Sequence, residues 1–76
     1  MKELVSFIAI SLVDDREAVQ VSEVERDDVT ILELRVSKDD LGKVIGKQGR
    51  TARAIRSLLS ASAAKLNRKV RLEIID

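Results

Sequence analysis

Cysteine and histidine are both absent from this 76-residue chain. Their absence removes thiol chemistry, disulfide stapling, the usual zinc sites and the usual general base near neutral pH. Tryptophan and tyrosine are missing as well, and Phe7 is the sole aromatic. A surface that holds nucleic-acid bases by stacking them on aromatic rings is therefore excluded. No apolar run is long enough to cross a bilayer. The longest, Leu4 to Val13, is too short, has no basic leader of any length, and is not followed by a small-residue cleavage site. A cytoplasmic protein is expected.

What is present is aliphatic and charged. Apolar residues make up 45% of the chain, nearly all Val, Ile, Leu and Ala, so a compact core needs neither metal nor disulfide. The length leaves room for one domain spanning residues 1–76, since a chain of this size buries only roughly 60% of its unfolded surface. The net charge of +1 conceals a division. Residues 1–37 carry four basic and nine acidic side chains, a net of −5, and residues 38–76 carry ten basic and four acidic, a net of +6. That asymmetry is one mark of a surface directed at a polyanion; the plainer explanation is opposite charges meeting across the fold.

Hydrophobic spacing predicts the elements. Leu4, Val5, Ile8 and Leu12 recur on one face of a helix over residues 2–12, with Phe7 and Ile10 outside the stripe. After the polar break Asp14 to Glu17, Val19, Val21 and Val24 mark a strand of irregular alternation, with room for a bulge. Arg26, Asp27 and Asp28 form a polar turn. Leu32, Leu34 and Val36 then alternate with Glu33 and Arg35, which completes an antiparallel hairpin with one wet face. Ser37 or Asp39 can cap a short helix whose apolar face is Leu41, Val44 and Ile45, closed by Gly46. A longer helix from Arg50 to Leu66 has Ala52, Ile55, Leu59, Ala63 and Leu66 as its inward stripe and Asn67 as its terminator. Val70, Leu72 and Ile74 form a last strand, which a helical crossover can bring parallel to the strand ending at Val36. The expected fold is α+β, in the order α-β-β-α-α-β, with the helices on one face of a three-stranded mixed sheet.

The chemistry lies in the segment from Gly42 to Arg50. A Walker-type loop fails on spacing, because Gly42 and Gly46 enclose three residues rather than four and Lys47 is followed by Gln48. The dinucleotide fingerprint fails too, since the glycines stand at 42, 46 and 49 with no strand directly before them. What remains is a G-x-x-G turn between two helices. Glycine at both ends keeps side chains away from an approaching sugar-phosphate strand, and the helix that follows directs free N–H groups toward an anion. Lys47 offers a point charge, Arg50 a planar fork for phosphate oxygens, and Gln48 a neutral polar contact.

Val44-Ile45-Gly46-Lys47-Gln48-Gly49 resembles the signature of the KH family residue for residue, and the element order is similar to the type II, bacterial arrangement over essentially the whole chain. One departure follows the loop: Ala52 stands where a larger aliphatic is common. The resemblance implies a clamp on about four nucleotides of single-stranded RNA. It also implies a groove for the bases, between the two helices and an edge strand, with Leu41, Val44, Ile45, Leu34 and Val36 as candidate floor residues; ordinary core packing is the alternative for all five and the better one for Leu34 and Val36, which alternate along a strand. The expected RNA-binding set is Lys43, Val44, Ile45, Gly46, Lys47, Gln48, Gly49, Arg50 and Arg53, with Arg56 further along the same helix. The role implied is that of an RNA chaperone or post-transcriptional regulator that needs no cofactor and pairs with itself or with a second, Jag-like KH protein. A second helix stripe, Ala54, Leu58, Ala61 and Lys65, is not needed by the intramolecular core, and its first three residues are expected at a dimer interface.

Other classes fit less well. With no Cys or His, and with its carboxylates gathered in turns where solvation explains them, the chain offers no enzyme site. Asp14-Asp15 and Asp27-Asp28 lack the spacing of a magnesium site. A helix-turn-helix DNA reader also joins two helices by a short glycine turn, yet Arg50 to Arg53 offers little besides charge for reading bases. A protein-interaction module with a degenerate clamp leaves Lys47 and Arg50 unexplained.

Overall fold

In the computed structural model of the chain, which describes residues 1–75, the elements follow one another as α1 (Lys2–Leu12), β1 (Gln20–Arg26), β2 (Val29–Arg35), α2 (Leu41–Ile45), α3 (Arg50–Lys65) and β3 (Lys69–Ile75). Short 3-10 turns cover Arg16–Ala18, Lys38–Asp40 and Lys47–Gly49. The strand order is β1-β2-β3, with β1 antiparallel and β3 parallel to β2. This is the expected α+β architecture, and it has the type II KH order. Among the described residues, no helix is long and apolar enough to cross a membrane.

The core forms where the three helices cover one face of the sheet. Leu32 and Leu34 of β2 and Leu72 of β3 meet Val5 and Ala9 of α1, Val44 of α2, and Ile55 and Leu59 of α3. Fully burying an aliphatic side chain of this size contributes about 1.5–3 kcal/mol, so β2, which supplies two with no exposure at all, anchors the sheet.

Three local expectations need correction. In α1 the buried positions are Val5 and Ala9, continued by Val13, whereas Leu12 lies at the exposed margin. The small Ala9 lets the helix approach the sheet closely, which a stripe drawn through the largest side chains misses. In β1 the pairing with β2 runs unbroken from Gln20↔Arg35 to Arg26↔Val29, so there is no bulge. The irregular alternation arises because Val24 points to the open face while Val21 points toward the helices. Leu66 is 63% exposed and lies beyond the end of α3. There Asn67 takes a left-handed conformation (φ 58), and the amides of Asn67 and Arg68 donate to the carbonyls of Ala64 and Ala63. This is the paired closure of a Schellman motif, which turns the chain directly into β3.

The hairpin between β1 and β2 is closed by two residues, Asp27 and Asp28, both left-handed (φ 49 and 67). That is the signature of a type I′ turn, whose twist matches the flanking strands and whose positive φ aspartate tolerates.

Candidate nucleic-acid interface

Local geometry at the G-x-x-G turn follows from two glycines with different reasons to be glycine. Gly46 ends α2, its N–H donating to the Gly42 carbonyl at 2.8 Å, with φ 78 and ψ 169. A methyl group on Gly46 would lie 2.2 Å from Thr51 Oγ1 and 2.8 Å from the Thr51 amide nitrogen. The requirement is internal, because the start of α3 folds back against this carbon. Gly49, in the left-handed conformation (φ 74, ψ 13), precedes α3, and a methyl group there would meet nothing nearer than Arg53 Nη2 at 3.9 Å. The space over Gly49 is therefore open to a ligand strand.

Between the glycines, Lys47 and Gln48 are exposed, and Gln48 is itself left-handed (φ 57). Two arginines of α3 hold this residue. Arg53 Nη2 donates to the Gln48 carbonyl at 2.8 Å, and Arg50 Nη2 lies 3.4 Å from Gln48 Oε1. Arg53 therefore braces the loop from below, while Lys47 makes no ion pair among the described residues. No side chain caps α3.

The flanking residues divide by burial. Ile45 is 40% exposed beside the turn, whereas Val44 is wholly enclosed in the core and supports the loop without forming part of its surface. Leu41 and Val36 are half-buried. Leu34 is wholly buried on the central strand, so it cannot form an exposed floor. The edge strand beside α3 is β3, and a groove runs between them, lined by Arg56, Leu59, Ser60, Val70, Leu72 and Ile74. Arg56 Nε lies 3.4 Å from the Leu72 carbonyl across this groove. The candidates drawn from the resemblance lay on β2 and just after it; the edge position beside α3 belongs to β3, because the parallel crossover sets β2 between β1 and β3.

Lys43 occupies a different setting from Lys47. Its Nζ is bonded to Asp14 Oδ2 and lies 3.2 Å from Asp40 Oδ1. Both contacts, that of Asp14 first, raise its pKa above the ordinary lysine value. Asp40 is buried, and its carboxylate accepts the amides of Asp15 (3.0 Å) and Asp14 (3.3 Å). The Asp15 amide, with help from that of Asp14 and from Lys43, outweighs burial and holds its pKa below the ordinary range. Solvation thus accounts for the exposed acids of the turns but not for Asp40, which ties the α1–β1 connection to the start of α2. Its signal in the sequence was slight: an acid three residues before a lysine, at a helix start.

The stripe of α3 expected at a dimer interface is exposed, with Leu58 47% accessible between Ala54 and Ala61.

A glycine-bounded cationic turn between two helices, laid over an α-β-β-α-α-β sheet of mixed direction, defines a KH domain of type II. The chain belongs to the KhpA/KhpB KH-domain family: the family model described as "KhpA/KhpB, KH domain" matches residues 2–74. Its relatives include the RNA-binding protein KhpA of Borreliella burgdorferi, 58% identical over 97% of this chain and 90% of that protein. The protein of the same name from Clostridium perfringens is 60% identical over 99% of this chain and 100% of its own length. That of Aquifex aeolicus is 46% identical over 100% and 96%. No solved structure gives a significant match.

Proposed function

We propose that this chain, as a single KH domain, binds a short single-stranded RNA segment at the turn Gly46-Lys47-Gln48-Gly49, serving as an RNA chaperone or post-transcriptional regulator rather than an enzyme. The observation that carries this reading is the open turn itself. Bare space lies over Gly49, Lys47 projects with no partner acid among the described residues, and Arg50 stands at the start of α3. The relatives described above, each of them an RNA-binding protein by name, support RNA as the ligand.

In this reading Lys47 and Arg50 meet phosphate oxygens, and Ile45 supplies an aliphatic contact beside the clamp. Arg53 and Val44 hold the loop in shape. The groove between α3 and β3 receives the bases, and Lys43 acts mainly through its ties to Asp14 and Asp40. With no aromatic platform, affinity rests on phosphates and aliphatic contact, so one domain binds weakly. Three or four engaged phosphates give a slope of log K against log salt of roughly −2 to −3. The exposed stripe Ala54, Leu58 and Ala61 pairs two copies, or one copy with a Jag-like KH protein, and so presents two clamps to one RNA.

Replacing Lys47 and Gln48 together with Asp tests the clamp. Both side chains are exposed, so the fold persists, and binding to single-stranded RNA falls by about tenfold or more as two phosphate-facing groups become repulsive. The same titration with single-stranded and duplex DNA identifies the preferred ligand. Undiminished RNA binding by the variant would move the site away from this turn, and a preference of the parent for duplex DNA would replace the clamp with a groove reader.

A further inference from the structure

The helices cover one face of the sheet and leave the other bare. Pairing registers place the residues of that bare face in rows across the three strands. The row nearest the hairpin turn is Arg26, Val29 and Lys69, and the next is Val24, Ile31 and Arg71. Beyond them lie Ser22, Glu33 and Glu73, then Gln20, Arg35 and Ile75. Arg26, Lys69 and Arg71 thus frame a shallow depression floored by Val29 and Ile31, with Asp27 at its rim. All three cations are exposed, and none makes an ion pair among the described residues. Arg68, beside them in sequence, differs: it is tied to Glu25 and to Thr30 Oγ1 and lends no free charge.

We infer that this corner of the open sheet face is a second nucleic-acid contact site, which takes the phosphate backbone of single-stranded RNA without regard to sequence. Three unpaired cations around a half-buried aliphatic floor match a sugar-phosphate chain, with charge for the phosphates and an apolar surface for the ribose. No aromatic is present to hold a base, so the site cannot read one by stacking. Acidic residues bound the patch at both ends, Glu33 and Glu73 in the following row and Asp27 and Asp28 at the hairpin turn, so the positive potential is confined to the three cations between them.

Position gives the site its use. The clamp precedes the first residue of α3, whereas Lys69 follows its last turn by a few residues. With 16 residues in α3, the helix sets the two places about 24 Å apart along its axis, on opposite faces of the sheet. A tetranucleotide held at the clamp does not reach the corner; a longer strand, or a second one, does. RNA as the choice of polyanion rests on the reading of the loop, while the patch itself does not.

The test compares the parent with Arg26→Gln/Lys69→Gln/Arg71→Gln, using a tetranucleotide and a single-stranded RNA of about 20 nucleotides over a salt series. A control variant, Lys2→Gln/Ser11→Glu/Arg16→Gln, lowers the net charge equally on surfaces away from both sites. The sheet-face variant is expected to bind the tetranucleotide as the parent does. For the longer RNA, its salt slope should be shallower by about 2, and its affinity at low salt about tenfold weaker, from three lost phosphate contacts. Unchanged behaviour with the longer RNA overturns the inference and leaves an acidic protein as the occupant of the patch. An equal loss in the control variant, or on the tetranucleotide, overturns it in favour of net charge. A failed clamp is seen separately, as retention of tetranucleotide binding by the Lys47→Asp/Gln48→Asp variant.

Discussion

Thr51 folds so closely over Gly46 that the absence of one methyl group determines the path of the chain there. Two costs coincide at Gly46: a backbone conformation that side-chain-bearing residues rarely adopt, and a collision with both the hydroxyl and the backbone of Thr51. Gly46→Ala is therefore expected to destabilise the fold by about 1–3 kcal/mol and to displace the loop. At Gly49 only the first cost applies, and Gly49→Ala should lose about 1–2 kcal/mol with no clash. Urea midpoints of the two variants check the order. Equal losses would mean that α3 shifts freely to accommodate the added methyl, contrary to the tight contact at Thr51. The two glycines look alike in sequence, and only the return of Thr51 distinguishes them.

Among the elements, α2 has five residues, too few to be stable alone, and it is fastened by Val44 in the core and by Asp40 ahead of it. Because Asp40 titrates below an aspartate's ordinary value of 3.8 in the folded chain, its contribution is complete above that value and is lost as pH falls through the lower, folded one. Lys43 has the opposite sign: its raised pKa makes its contribution complete below 10.5 and lost as pH rises through the higher, folded value. Stability should thus fall below about pH 4 partly through Asp40, and Asp40→Asn should lower the urea midpoint at pH 7 while flattening this acid limb. Parallel curves for parent and variant between pH 7 and pH 3 would show that Asp40 carries no such linkage. The element order was legible in the sequence because most segments combine a clear period with a marked end: alternation in β2 and β3, Asn67 after α3, glycine after α2. The loop was legible as a motif, since its spacing excluded other phosphate turns. Contacts between segments distant in the chain were not. Asp40 with Asp15, Arg56 with Leu72, and Arg68 with Glu25 depend on which strands and helices become neighbours, and local spacing does not encode that. For Leu34 and Val44 the choice between groove floor and core rests on the same contacts, since periodicity tells which face a residue shares and not what covers that face; both prove to be core.

On the scale of the whole molecule, the charge division of the sequence becomes spatial. The G-x-x-G turn and the start of α3 hold Lys47, Arg50 and Arg53, and the bare sheet face holds Lys69 and Arg71, while two acids of the N-terminal half pair with cations of the other half, Asp14 with Lys43 and Glu25 with Arg68. The outer stripe of α3 remains uncharged between Ala54 and Ala61 apart from its borders, and Leu58 projects from its centre. Small residues beside one large aliphatic permit two helices to approach closely, and burying a leucine on each side contributes about 1.5–3 kcal/mol per side chain. Leu58→Asp would place a carboxylate against its own copy in that contact. Gel filtration should then show the parent eluting as a dimer and the variant as a monomer that remains folded, because Leu58 takes no part in the intramolecular core. Joining two weak clamps raises apparent affinity only for an RNA that reaches both, so the variant should lose about tenfold or more on a long strand and nothing on a tetranucleotide. An elution volume identical to that of the parent would show that this helix face pairs no copies, and any cooperation between clamps would then have to arise on the RNA itself.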